Sequence, residues 1–230
     1  MNRRPIAVAL IVGVAGLSIA GTALAAAGVV SMRAAKRSVT YPGVVDLIAT
    51  GTGTETLARF ERSTSPTNTL SWETLESRAT VGVSAFRVPH LPRRNAYYRA
   101  VIGGVESTPA VYVAVRVPMS APRLSSSRPK AGTRLRVSGT VRPNHPLGMG
   151  AEAPYRFGLE FDKRTKSGSW KTQSSRTALI TAEVDSDTSR WSGDRLLKRG
   201  DAGLWRVRAF HECPNHARSY SAWREFSVRP

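Results

Sequence analysis

The chain carries one cysteine, Cys213, in 230 residues. No intramolecular disulfide can form, so the hydrophobic core must hold the fold in whatever compartment the protein occupies. A free cysteine is usually buried and inert, and burial is the expectation here. Pairing with another molecule is the alternative, and it makes Cys213 a candidate reactive thiol. Acid is scarce as well, with 16 Asp and Glu against 34 Lys and Arg and a formal net charge of +18. Such a field attracts wall polyanions, acidic lipid head groups, nucleic acid or acidic proteins. The plain alternative is an arginine-rich composition that places guanidinium groups on solvent faces. Long helical periodicity is missing from residue 26 onward, which confines helices to short turns and makes the chain all-β. No Gly-x-Ser-x-Gly elbow occurs, and no glycine-rich phosphate loop opens a helix, so nucleotide chemistry and enzymatic activity are not expected. With 41 % hydrophobic residues, wholesale disorder is excluded.

What is present begins with Arg3 and Arg4, an apolar run from Ile6 to Ala20, and Ala23-Leu24-Ala25 as a small-residue cleavage site. This predicts a signal peptide over residues 1–25; the alternative is an uncleaved membrane anchor, because no charge appears between Arg4 and Arg33. Removing residues 1–25 lowers the charge only to +16, so the positive field belongs to the folded part. Residues 26–40 read as a solvated spacer. Beyond them, short runs of alternating apolar and polar residues predict strands at Val44–Ala49, Thr56–Arg62, Trp72–Glu76, Val81–Val88, Tyr98–Ile102 and Val111–Val117. Pro89 and Pro92 should stop the fourth of these. That set predicts a first β-sandwich over 41–117, and Pro118-Met119-Ser120-Ala121-Pro122 a semi-rigid linker. A second sandwich is predicted over 123–230. Its strands are Leu135–Val141 around Gly139, Tyr155–Asp162, one starting at Trp170, Ala178–Val184, Arg190–Leu196, and a closing pair through Trp205, Val207, Ala209 and then Trp223, Phe226, Val228. The halves also read as a divergent repeat, with Trp72 matching Trp170 and Tyr98-Arg99-Ala100 matching the Trp205–Ala209 strand.

Three segments carry a family resemblance: Val137-Ser138-Gly139-Thr140-Val141-Arg142-Pro143, Lys166-Ser167-Gly168-Ser169-Trp170, and Gly203-Leu204-Trp205-Arg206-Val207-Arg208-Ala209. Together they resemble the tandem immunoglobulin-like, or fibronectin type III-like, modules of exported actinobacterial proteins. The resemblance is good over Pro122–Pro230 and loose before it. It implies two immunoglobulin-like sandwiches in tandem and a role as spacer, display stalk or binding module. No functional residue is carried over, because the motifs specify a fold and not a ligand. The expectation is also that the chain closes at Pro230 without a catalytic domain, wall-sorting tail or C-terminal membrane span.

The residues with chemistry to offer are few. His211-Glu212-Cys213 with His216 is the only local cluster of metal-ligand types. It has no evident fourth ligand, and His211 shares the inward parity of Ala209, so no metal and no cofactor are expected. The four histidines, His90, His145, His211 and His216, stand beside prolines or in or near loops; a hydrolase or transpeptidase would need one of them to converge on Cys213 or on a serine. Arg206, Arg208 and Arg224 interleave with Trp205 and Trp223, and Arg93-Arg94 forms a loop-tip cluster. These five arginines are the candidate polyanion contacts. The competing assignment is that Trp and Val fill the core while Arg stems cover the opposite face. The reading is an exported, non-enzymatic, cell-surface or extracellular binding or spacer module. The alternative is a basic protein that binds cell-wall polymers or acidic glycans. Partners are wall polyanions or another envelope protein, a membrane only if the leader stays uncleaved, and no specific nucleic acid.

Overall fold

Period-two alternation puts apolar side chains on one face of a strand, and such strands gain stability only when two sheets bury those faces against each other. The computed structural model describes residues 29–51, 56–80, 85–145, 156–182 and 187–230. Residues 1–28, where the signal peptide is predicted, and Val81, Tyr155 and Val184 lie outside the described residues. The first half contributes β1 (Val30–Ala34), β2 (Ser38–Thr40), β3 (Val45–Gly51), β4 (Thr56–Ser63), β5 (Glu73–Thr80), β6 (Ala85–His90), β7 (Ala96–Ile102), β8 (Val105–Glu106) and β9 (Val111–Arg116). The second contributes β10 (Arg123–Leu124), β11 (Arg134–Val141), β12 (Arg156–Arg164), β13 (Trp170–Thr177), β14 (Leu179–Ala182), β15 (Ser189–Leu196), β16 (Gly203–Cys213), β17 (His216–Tyr220) and β18 (Arg224–Val228). Two single-turn helices, Thr69–Ser71 and Arg199–Asp201, are the helical elements among the described residues. The chain is all-β.

Both halves use one pairing scheme. In the first, β1-β3-β6 forms one sheet and β5-β4-β7-β9 the other, with β2 running parallel to β9. In the second, β10-β11-β15-β14 faces β13-β12-β16-β18, and Lys130 makes a single parallel bridge to Arg229 just past β18. In each case the opening segment starts antiparallel on one sheet and then crosses to lie parallel to the last strand of the other. Each half is therefore an immunoglobulin-like β-sandwich. The repeat read from sequence has a structural counterpart, since Tyr98 and Trp205 are both fully buried at matching places on β7 and β16.

Two cores result. One gathers Leu47, Phe60, Tyr98, Val113 and Val115; the other gathers Leu135, Val137, Leu159, Phe161, Trp191, Trp205 and Val207. Burying each such side chain contributes about 1.5–3 kcal/mol. The two indoles bring a polar atom inside, and each finds an acceptor: Trp191 Nε1 donates to the Thr140 carbonyl at 3.1 Å and Trp205 Nε1 to the Asp201 carbonyl at 2.6 Å. Gly139 sits under Trp191 so tightly that an added Cβ would collide with the ring.

Three expectations need correction. The basic stretch from Met32 to Ser38 is not a free spacer. Val30 and Val39 are buried and Met32 and Ala34 pack on the first core, so the segment forms β1 and β2, while Arg and Lys residues between them point outward. Pro89 does not stop its strand. It pairs with Asp46 inside β6, which is an edge strand whose missing N–H costs no ladder bond. The first strand of the closing pair also runs on to Cys213, and a further strand, β17, precedes β18.

The linker is stitched down rather than free. Met119 pairs with Val141, Ser120 N–H donates to the Thr140 carbonyl, and Val117 joins the second core. The β16–β17 hairpin reaches across to the first sandwich, where Ala217 pairs in parallel with Arg116 and the Val117 N–H donates to Ser219 Oγ at 3.0 Å. The Asn95 N–H donates to the Asn215 carbonyl at 2.7 Å, and Asn95 Nδ2 donates to the Pro214 carbonyl at 3.1 Å. One hydrogen-bonded sheet thus runs from β13 to β5 through both halves.

Candidate functional site

The outer face of the long sheet holds the arginines singled out by sequence. β16 directs Trp205, Val207, Ala209 and His211 into the core, which leaves Arg206 and Arg208 outside. The Arg206 guanidinium lies 4.0 Å from the Trp223 ring centroid and 4.6 Å from that of Trp170; the Arg208 guanidinium lies 4.0 Å from Tyr220 and 4.4 Å from Trp223. Trp223 takes two guanidinium groups against its ring, and Arg218 extends the row over Tyr220 at 5.3 Å. Carboxylates of the neighbouring β12 oppose the charge: Arg206 Nη2 donates to Asp162 Oδ2 at 2.7 Å and Arg208 Nη2 to Glu160 Oε2 at 3.0 Å. The first half repeats this on a smaller scale, with Arg99 4.3 Å from the Trp72 ring and 2.7 Å from Glu61.

Trp205 is absent from this row, because it faces the core and takes Arg195 against its ring at 4.5 Å. Arg224 lies exposed on β18, and Arg93 and Arg94 are exposed at a loop tip. The five candidate polyanion contacts are therefore not one patch of free charge. Arg206 and Arg208 are stacked and ion-paired, while Arg93, Arg94 and Arg224 are open to solvent.

A second cluster lies at the seam of the two halves. His211 enters the core from β16, opposite Phe157 of β12. His145 follows β11 on a short segment that is pinned where its own N–H donates to Ser189 Oγ at 2.7 Å, while Ser189 Oγ donates to Asn144 Oδ1 at 2.7 Å. His216 opens β17 directly after the two-residue turn Pro214-Asn215 and pairs with Cys213. A register shift between His211 and Cys213 twists the hairpin end, so the inward parity of His211 does not keep it from meeting His216. The ring centroids are 4.7 Å apart for His145 and His211, 5.1 Å for His145 and His216, and 5.5 Å for His211 and His216. One ligand nitrogen from each lies within 4.8 Å of the others, and all three residues are buried. His90, the fourth histidine, stays apart in the first half, edge-on to Tyr98.

The hydrogen bonds of the cluster fix one tautomer. A carbonyl can only accept, so His216 Nε2–H donates to the Arg93 carbonyl at 2.9 Å. The Nδ1 lone pair then accepts from the Cys213 thiol, 3.2 Å away. His211 is fully buried, and among the described residues neither of its ring nitrogens has a hydrogen-bond partner. Burial, reinforced by the neighbouring imidazoles, lowers its pKa to about 3, and burial lowers that of His216 to about 4. Burial also lowers the pKa of His145, against a backbone hydrogen bond to Pro143 that raises it. The Cys213 thiol is pushed up by burial.

A histidine does converge on Cys213, which was the requirement set for a thiol hydrolase or transpeptidase. The electrostatics run the opposite way, however. A nucleophilic cysteine needs a lowered thiol pKa and a base that can hold its proton, whereas here the thiol is raised and the imidazole lowered. The pair is neutral thiol beside neutral imidazole. His145 adds a third imidazole to the two that the sequence places close together. It stands 66 residues before His211, so no local spacing announces it. The available signal was a polar His211 on an otherwise apolar strand face.

No protein-family model matches the sequence, and no curated protein matches it either. Among solved structures it is similar to purple acid phosphatase PPD1 from yellow lupin (Lupinus luteus) seeds at 12 % identity and a TM-score of 0.34, covering 87 % of this chain and 41 % of that one. It is similar to a D1–D4 ectodomain fragment of ICAM-5 at 13 % identity and a TM-score of 0.44, covering 87 % and 53 %. It is similar to murine CEACAM1b at 13 % identity and a TM-score of 0.34, covering 87 % and all of that chain. The chain thus spans about half the length or less of the first two. What defines the class of this protein is its own strand pairing: two immunoglobulin-like β-sandwiches joined by a hairpin.

Proposed function

We propose that the protein is an exported, non-enzymatic module that acts at the cell surface or in the medium as a binding or spacer unit, like the tandem modules of exported actinobacterial proteins that its motifs resemble. The observation that supports this most directly is the joint. Pairing of Ala217 with Arg116, the Val117 and Asn95 hydrogen bonds and the stitched linker hold the two sandwiches in one relative placement. A spacer or display unit needs that property and a pair of independent domains lacks it.

The polyanion reading is the less favoured, because Asp162 and Glu160 already balance Arg206 and Arg208. Export rests on the leader over residues 1–25. Its test is fractionation of producing cells with mass analysis of the purified chain. Recovery from medium or envelope, starting after Ala25 or with the leader retained as an anchor, agrees with the proposal; recovery from cytosol contradicts it.

A further inference from the structure

We propose that His145, His211 and His216, with the Cys213 thiolate as fourth ligand, form a binding site for a late first-row divalent metal ion, zinc above all, at the seam of the two sandwiches. This goes beyond the spacer or binding role and does not depend on it.

Three observations carry it. First, three imidazoles from separate places in the chain meet in a buried space with one nitrogen each inside 4.8 Å. A tetrahedral zinc site has N···N edges of roughly 3.3 Å, given Zn–N bonds of about 2.0–2.1 Å. Small ring rotations therefore close the set. Second, His211 is 0 % exposed with both ring nitrogens unpartnered, and an ion at the centre of the cluster gives one of them the partner it lacks. Third, the outer ring of contacts is already placed. Metal-bound histidines normally donate their other N–H to a carbonyl or carboxylate, which fixes the tautomer. His216 does this to the Arg93 carbonyl, which leaves the Nδ1 lone pair, beside Cys213 Sγ, as its ligand atom.

Cys213 Sγ is 3.2 Å from that same Nδ1. The N···S edge of a tetrahedral zinc site is roughly 3.6 Å, from Zn–S near 2.3 Å and Zn–N near 2.0–2.1 Å. Sulfur and nitrogen are thus set about as far apart as two ligands of one ion. Binding converts the thiol to thiolate and releases its proton to solvent. Among the described residues the cluster contains no carboxylate, and three imidazoles with one thiolate select zinc or cobalt over magnesium or calcium. Since Arg93 belongs to the first sandwich and the ligands to the second, a bound ion would tighten the joint.

The test is titration of the chelator-treated full chain with cobalt(II), followed by absorbance, then displacement with zinc and a thermal melt at each step. The expected result is one cobalt per chain, with four-coordinate visible bands and a near-ultraviolet sulfur-to-cobalt band, displaced by zinc, and a melting temperature that climbs with free zinc. His145→Asn and Cys213→Ser should each weaken binding by more than about 100-fold, beyond what loss of an outer contact does. No saturable binding of either metal at micromolar concentration by the folded chain overturns the proposal, whether or not any variant folds. Visible bands without the sulfur band remove Cys213 and overturn the four-ligand centre.

Discussion

Replacing Arg206 with alanine should unfold the protein far more easily than a surface substitution would. Asp162, its partner on β12, is 3 % exposed, and Oδ2 receives both the Nε–H at 2.9 Å and an Nη2–H at 2.7 Å from Arg206, while Oδ1 has no hydrogen-bond partner. Truncating Arg206 strands a carboxylate that is nearly out of water, a change that costs about 3–5 kcal/mol for a fully buried pair. The Arg206 side chain is 24 % exposed, so water can reach the vacated space, and the lower end, about 3 kcal/mol, is the better figure. Loss of stacking on Trp170 and Trp223 is worth roughly 0.5–1 kcal/mol for each ring. Urea unfolding followed by tryptophan fluorescence would read the sum as a lower midpoint at constant slope. The companion variant R206A/D162N removes the stranded charge and should recover much of the loss. An R206A variant within about 0.5 kcal/mol of the parent, the range of an ordinary surface change, would refute the reasoning. A double variant no better than the single one would show that the buried charge is not the cause.

Gly139→Val should destabilise by at least about 1–3 kcal/mol, because even its Cβ collides with the buried Trp191 ring; an unchanged melting temperature and near-ultraviolet dichroism would contradict that packing. Asn95→Ala should loosen the joint by about 1–2 kcal/mol, since it removes the side-chain bonds to the Pro214 carbonyl and from the Val115 N–H. Hydrogen exchange at Ala217–Ser219 and proteolysis near Pro118–Pro122 should both rise; exchange that stays at the parent rate would mean Asn95 does not hold the hairpin.

Alternation made most strands readable in advance. Ala58 and Phe60, Tyr98, Ala100 and Ile102, Val113, Val115 and Val117, and Leu135, Val137 and Val141 are inward as their parity requires. Parity is a local property, and where structure depends on distant pairing it fails. Met32–Ser38 looks polar, yet its two ends belong to β1 and β2 because β3 and β9 are placed to receive them. Pro89 looks like a stop until β6 proves to be an edge. The arginine and aromatic row was half legible: Arg206, Arg208 and Trp223 share a face, but Trp205 belongs to the other one, and Trp170 joins from β13 through a pairing that no spacing reveals. The histidine cluster was hidden for the same reason. His211 and His216 were visible as neighbours, whereas His145 reaches them only through the packing of the β11 end beside β16.

Retention of the purified chain on cell envelope across a sodium chloride series separates a binding or spacer module from a polyanion binder. A binding or spacer module that does not use its excess positive charge, with Arg206 and Arg208 already paired to Asp162 and Glu160, should show no salt-sensitive fraction: it either stays bound at every concentration or does not bind. Retention that collapses between low and moderate salt would contradict the account, identify the excess positive charge as the working surface, and direct attention to Arg93, Arg94 and Arg224.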